Sequence, residues 1–162
     1  MEESKSFSIE EAQLHFAKSL NGQVWDLLQK ADRLPSEDEL MVHAAHASCY
    51  HWLKVGTGLH HQRGEWLIAH VYTELGMAES ALWHAQRCLE LTNEFSDLME
   101  DFDRAYAFEG LARAHALGRN REQALKYLDL AKVAGEKIAN VEDKNIFEGD
   151  FNGGQWYSLN SD

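Results

Sequence analysis

The chain has 162 residues, of which 44% are hydrophobic, and this length and composition suit one globular domain with a core of its own. Its formal net charge of -12 removes the attraction to phosphate on which sequence-independent nucleic-acid binding depends, and it disfavours anionic membrane surfaces for the same reason. The first residues, MEESKSFS, lack the apolar run of a secretory signal, and no stretch approaches the length of a membrane span. With two widely separated cysteines and no CxxC motif, we expect a cytoplasmic protein with reduced thiols.

Apolar residues recur at helical spacing along most of the chain and predict six main helices with short connections, hence antiparallel neighbours. Ser8 is the expected N-cap of the first helix. Pro35 is expected to break the chain after that helix, and Ser36 with Glu39 is expected to form the capping box of the second. The predicted helices run from about Ser8 to Asp32, Ser36 to Val55, Gln62 to Leu75, Ala78 to Phe95, Ser96 to Gly118 and Arg121 to Ala139.

A self-match at a distance of 43 residues joins the segment that starts at Ala69 to the segment that starts at Ala112. Two antiparallel helices approach closely only where small side chains face each other, so the match predicts two helix hairpins packed through small residues. The turn glycines Gly76 and Gly118 are 42 residues apart, so the turn is expected to slide by one residue. The paired small positions are Ala69, Ala81 and Cys88 in one copy and Ala112, Ala124 and Ala131 in the next.

This pattern resembles the tetratricopeptide repeat, and the stretch ARAHALGRNREQALKYLDLAK is similar to bacterial helical-repeat proteins of unassigned function. The family's opening Trp position falls on Glu65 and Phe108, which is a departure. The resemblance implies an all-α fold in which antiparallel helix hairpins stack as a short right-handed superhelix. It rests on Ile68, Ala69, Tyr72, Gly76, Ala81 and Cys88 in one copy and on Leu111, Ala112, Ala124, Leu128 and Ala131 in the next.

The implied organisation is a single domain over residues 1–162. Within it we expect a divergent first helix pair in residues 1–58, repeat-like pairs in 62–95 and 98–139, and a capping helix or tail in 141–162.

The resemblance also implies a concave groove that binds a protein or peptide partner without catalysis. Family members that clamp a C-terminal carboxylate use Lys and Asn where this chain has Trp66 and His70, so the chain departs from that ligand class. The alternative is that the groove aromatics pack against an adjacent helix or the tail. The implied groove residues are Arg63, Trp66, His70, Thr73, Tyr106, Glu109 and Arg113.

Four aromatic residues after residue 140 are too apolar to extend into water without cost. Capping of the open end of the array is the preferred interpretation, because solenoids need such a cap. The tail could instead lie in the groove as a self-ligand, or hold a homo-oligomer together as an oligomerisation module. The four residues are Phe147, Phe151, Trp156 and Tyr157.

Nine histidines raise the question of a metal or small-molecule sensor. His43, His46 and Cys49 follow one another at intervals of three, and His84 and Cys88 are four apart. The first set spans about 240° of helical arc, so its members cannot share one direction. Half-buried histidines in helix packing are the preferred interpretation, and no metal or cofactor is predicted. Without HExxH, GxSxG or a Gly-rich phosphate loop, no catalytic residues are predicted either.

Overall fold

A computed structural model describes residues 6–160. These residues form an all-α protein in which seven helices pack as sequential hairpins, each helix against the next. No helix among them combines the length and the apolar character that crossing a membrane requires. The helices are α1 (Ile9–Leu28), α2 (Pro35–Val55), α3 (Gly58–Glu74), α4 (Ala78–Glu94), α5 (Asp101–Leu117), α6 (Arg121–Glu136) and α7 (Val141–Asn152), with 3₁₀ turns at Ser96–Leu98 and Tyr157–Leu159.

The start of α2 differs from the predicted capping box. Pro35 is the first residue of the helix and does not precede it, because its missing N–H would be unpaired in that position anyway. The carboxylate of Glu37 accepts the N–H of Leu34 at 2.8 Å, so Glu37 fills the role predicted for Glu39. Ser36 therefore lies inside the first turn and does not cap it.

The end of α1 is set by a side chain from the loop that follows. The guanidinium of Arg33 donates to the carbonyls of Leu27 and Lys30 at 3.1 and 3.0 Å. These bonds supply donors to carbonyls at and just after the helix end, and α1 ends at Leu28 and not near Asp32.

Two other helices begin at residues that differ from the prediction. α3 begins at Gly58, earlier than the predicted Gln62. α5 begins at Asp101 and not at Ser96, because the carboxylate of Asp103 accepts the N–H of the residue before the helix at 3.0 Å. α4 and α6 end within three residues of their predicted ends.

The internal repeat is visible in the turns as well as in the packing. Gly76 has φ 74°, in the left-handed region, and Arg119, 43 residues later, has φ 60°. The backbone hydrogen bonds Met77 N–H to Tyr72 and Asn120 N–H to His115, both 2.9 Å, occupy the same two places. The turn therefore keeps the period of the repeat, and the expected slide by one residue is wrong.

The small residues of the repeat are all buried, as predicted from the need for close approach. They lie where α3 contacts α4 and where α5 contacts α6. The described residues of this set are Ala69, Ala81, Cys88, Ala112, Ala124 and Ala131.

Candidate functional site

An open groove of about 400 Å³ is lined by residues from α1, α3, α5 and α7. α3 and α5 also contact each other directly, so the two predicted repeat units meet at this groove. Its volume lies within the range of ligand sites. The lining includes Trp25 of α1, Arg63 and Trp66 of α3, Asp103 and Tyr106 of α5, and Ile146 and Asp150 of α7; we call it the α3–α5 groove.

Aromatic rings line the centre of the α3–α5 groove. Trp66 stacks on Trp25 with ring centroids 6.1 Å apart and on His70 at 5.1 Å. Tyr106 presents its ring edge-on to Trp66 at 5.4 Å. Burial lowers the pKa of His70, so the imidazole is held in its neutral form more strongly than in water. These ring contacts restrict the orientation of the two indoles.

Arg63 forms an ion pair with Asp103 within the groove. Its guanidinium donates to both carboxylate oxygens of Asp103, at 2.8 and 2.9 Å, and lies 5.0 Å from the ring centroid of Phe102. The hydrogen bonds that Arg63 donates to Asp103 raise the pKa of the guanidinium. The positive charge of Arg63 is therefore compensated inside the protein.

Tyr106 connects α5 to α7. Its hydroxyl donates to the carboxylate of Asp150 at 2.5 Å. Burial, together with the nearby Asp150, raises the pKa of the phenol, so the proton stays on Tyr106.

Arg113 holds the chain that follows α7. Its guanidinium donates to the side chain of Glu109 and to the carbonyls of Gln155, Asp150 and Gly153, at 2.7, 2.8 and 3.1 Å respectively. Burial raises the pKa of Glu109, although the charge of Arg113 opposes this. Arg113, a buried side chain of α5, thus binds three backbone carbonyls between residues 150 and 155.

The segment 153–160, which we call the tail, lies against α5 and α6 and also reaches α3. The ring of Trp156 lies over the guanidinium of Arg113. The hydroxyl of Tyr157 donates to the carbonyl of Thr73 at 3.1 Å, and that of Ser158 donates to a carbonyl of α5 at 2.7 Å. The tail therefore occupies part of the surface that the resemblance assigned to a ligand.

α7 itself packs as a cap on the last hairpin. Phe147 is buried in a cluster with Ala105, Ala131 and Ile138. α7 thus packs against the last hairpin, while the tail contacts Arg113 and Thr73.

The predicted groove residues divide into three groups. Three of them line the open groove, and three others line a smaller opening of about 210 Å³ beside it. The seventh is buried, and its hydroxyl donates to the carbonyl of Ala69. Trp25 and Asp150 line both openings and were missed, because they belong to helices outside the repeat. The groups are Arg63, Trp66 and Tyr106, then His70, Glu109 and Arg113, and finally Thr73.

Gln62 is a further residue of the groove that sequence reasoning missed. It is buried and donates through Nε2 to the hydroxyl of Thr92 at 3.0 Å. Its Oε1 has no hydrogen-bond partner among residues 6–160.

The histidine sets considered from sequence are not brought together as ligand groups in the described part of the chain. His43 is exposed, and His46 pairs with the hydroxyl of Tyr72 at 3.0 Å. Nδ1 of His84 lies 2.6 Å from Oε2 of Glu65.

Comparison of the chain with protein-family models, with curated proteins and with solved structures finds no match.

Proposed function

We propose that the protein is a non-enzymatic scaffold that binds an extended segment of a partner protein in the α3–α5 groove. We further propose that the hairpins α3–α4 and α5–α6 form a tetratricopeptide-like array, on the support of their shared turn geometry and buried small residues.

The observation that supports this proposal is that the surface directly beside the groove already holds a stretch of non-helical chain, the protein's own tail. Arg113 donates to three of the carbonyls in and before the tail, and Thr73 accepts from Tyr157. Contacts through backbone carbonyls do not depend on the side chains of the bound segment, so they support binding of an extended peptide in general.

The chemistry of the open part favours a cationic side chain in the ligand. The charge of Arg63 is compensated by Asp103, and the charge of Arg113 is compensated by Glu109. Asp150 lines the groove without a described cation within salt-bridge distance. The π faces of indole rings attract cations, and the net charge of -12 attracts basic segments from a distance.

We therefore propose that a Lys or Arg side chain of the partner packs against the groove side of the Trp25 and Trp66 rings with its charge directed at Asp150. Binding would not have to order the two indoles, because they are already in contact in the unbound protein. The entropy cost of association is therefore smaller. The neighbouring opening beside His70 and Arg113 would receive the next residues of the segment.

The test starts from selection of a random-peptide phage library on the immobilised full-length protein. Recovered peptides are synthesised and titrated by calorimetry against the wild type and the variants Trp66→Ala and Asp150→Asn. The matched control is Trp83→Ala, because Trp83 is 63% exposed on α4 and lines another surface.

We expect the recovered peptides to be enriched in Lys or Arg. Both groove variants should bind them with an affinity about tenfold or more lower than the wild type, and the control should bind them unchanged. Failure to recover any peptide contradicts the proposal. Binding that Trp66→Ala leaves unaltered contradicts the assignment of the groove.

A further inference from the structure

A second group of polar side chains lies between α2, α3 and α4 and is separate from the groove lining. Cys49 of α2 and His61 and Glu65 of α3 place their sulfur, nitrogen and oxygen atoms within 4.8 Å of one another. Nε2 of His61 is 3.3 Å from Oε1 of Glu65, and Nδ1 of His84 on α4 is 2.6 Å from Oε2 of the same carboxylate.

These three donor types form a set that Zn²⁺ prefers, since thiolate, imidazole and carboxylate all occur in zinc sites. In a tetrahedral zinc shell the ligand atoms lie about 2.0–2.3 Å from the metal, which separates them from one another by about 3–4 Å. The observed spacings, 3.3 Å between His61 and Glu65 and at most 4.8 Å within the whole group, are close to this range.

The backbone is shaped to let the thiol reach α3. A Cβ added at Gly64 would lie 2.7 Å from Sγ of Cys49, closer than real Cβ atoms come. A glycine at this position therefore admits the sulfur beside His61 and Glu65.

We propose that Cys49, His61 and Glu65 bind one Zn²⁺ ion, with water in the fourth position and with His84 as the hydrogen-bond partner that orients Glu65. Hydrogen-bonded partners of this kind are characteristic of protein metal ligands. The site joins α2 to α3, and it does not depend on whether the groove binds a peptide.

Binding exchanges one proton for the metal. Burial and the neighbouring charge of Glu65 raise the pKa of Cys49 to about 12, so the metal-free thiol carries its proton at neutral pH. Formation of the zinc–sulfur bond releases that proton to solvent, and the thiolate sulfur supplies the bonding electron pair without any redox change.

The test uses full-length protein purified without a histidine tag, stripped with a chelator and titrated with Co²⁺ as a spectroscopic probe. One equivalent should bind and produce a thiolate-to-cobalt charge-transfer band that Zn²⁺ abolishes by displacement. The band should be lost in Cys49→Ser. Affinity for Zn²⁺, measured against a chromophoric chelator, should weaken about tenfold or more in His84→Gln and further in His61→Gln.

Two controls separate this site from the other candidates. His43→Gln removes an exposed histidine of α2, and Cys88→Ala removes the other thiol, whose counterpart in the repeat is alanine. Both should bind metal as the wild type does. Because the side chain of His61 is 24% exposed and Cys49 is buried, His61→Gln is less prone to misfold than Cys49→Ser, and circular dichroism checks its helicity.

Three results would overturn the proposal. One is the absence of stoichiometric binding, and another is a cobalt complex without a thiolate band. The third is equal affinity in the wild type, His61→Gln and Cys49→Ser.

Discussion

The guanidinium carbon of Arg113 lies 4.0 Å from the centroid of the Trp156 ring, so the indole covers the side chain that binds three carbonyls. Gly154 adds to this arrangement. It has φ 68°, and a Cβ there would lie 3.1 Å from Nη1 of Arg113. Arg113 therefore holds the tail against α5 through both its hydrogen bonds and its flat face.

Replacing Arg113 with methionine should detach the tail and destabilise the protein by about 3–5 kcal/mol, because Glu109 would be left buried without its cation. Amide hydrogen exchange in residues 153–160 should become faster than in the wild type. Urea denaturation measures the loss of stability.

The double variant Arg113→Met, Glu109→Leu separates the two effects. It should recover part of the stability, since no unpaired charge remains buried, while exchange in the tail stays fast. A tail that remains protected in both variants would show that Arg113 does not hold it.

Gly135 is required by the packing of α7. A Cβ at this position would overlap the ring of Phe147, so Gly135→Ala should lower the free energy of unfolding by about 1–3 kcal/mol. The control is Gly22→Ala, at an exposed position in α1 with nothing within 4 Å, which should stabilise by about 0.5–1 kcal/mol. Urea denaturation of the two variants should give opposite signs; a common sign would refute the packing argument.

His70 should make the fold sensitive to mild acid. Burial lowers its pKa below the usual value of about 6.5, against the opposing effect of Glu74 and Asp150 and with the support of Arg113. The unfolded chain then binds the proton more tightly, so stability is lost as the pH falls from about 6.5 through the lower folded pKa. In His70→Gln the urea midpoint should fall less between pH 7 and pH 5; an unchanged pH dependence would contradict this.

The sequence predicts the hairpins well because their cause is local. Small residues such as Ala81 and Ala124 recur at spacings that only close helix packing needs, and they are buried. The ends of the helices are harder to predict, because side chains outside each helix contribute to them. Arg33 ends α1 from the next loop, and no propensity of the residues before it indicates that.

The candidate site was predictable where it follows the repeat and not elsewhere. Trp66 and Tyr106 could be placed by their positions in the two copies, and both line the groove. Asp150 could not, because it lies on α7 and reaches Tyr106 across 44 positions of sequence. The approach of Cys49 to His61 depends likewise on how α2 crosses α3, which spacing along one helix does not encode.

The most direct test of the proposed groove is an ¹H–¹⁵N spectrum of the five tryptophan indoles during titration with a peptide recovered by the phage selection. Trp25 and Trp66 lie in the groove, Trp156 reports the tail, and Trp52 and Trp83 lie outside the groove lining. Binding as proposed should shift the indole signals of Trp25 and Trp66 and leave those of Trp52 and Trp83 in place. Shifts confined to Trp52 or Trp83, with Trp25 and Trp66 unmoved, would contradict the proposed function.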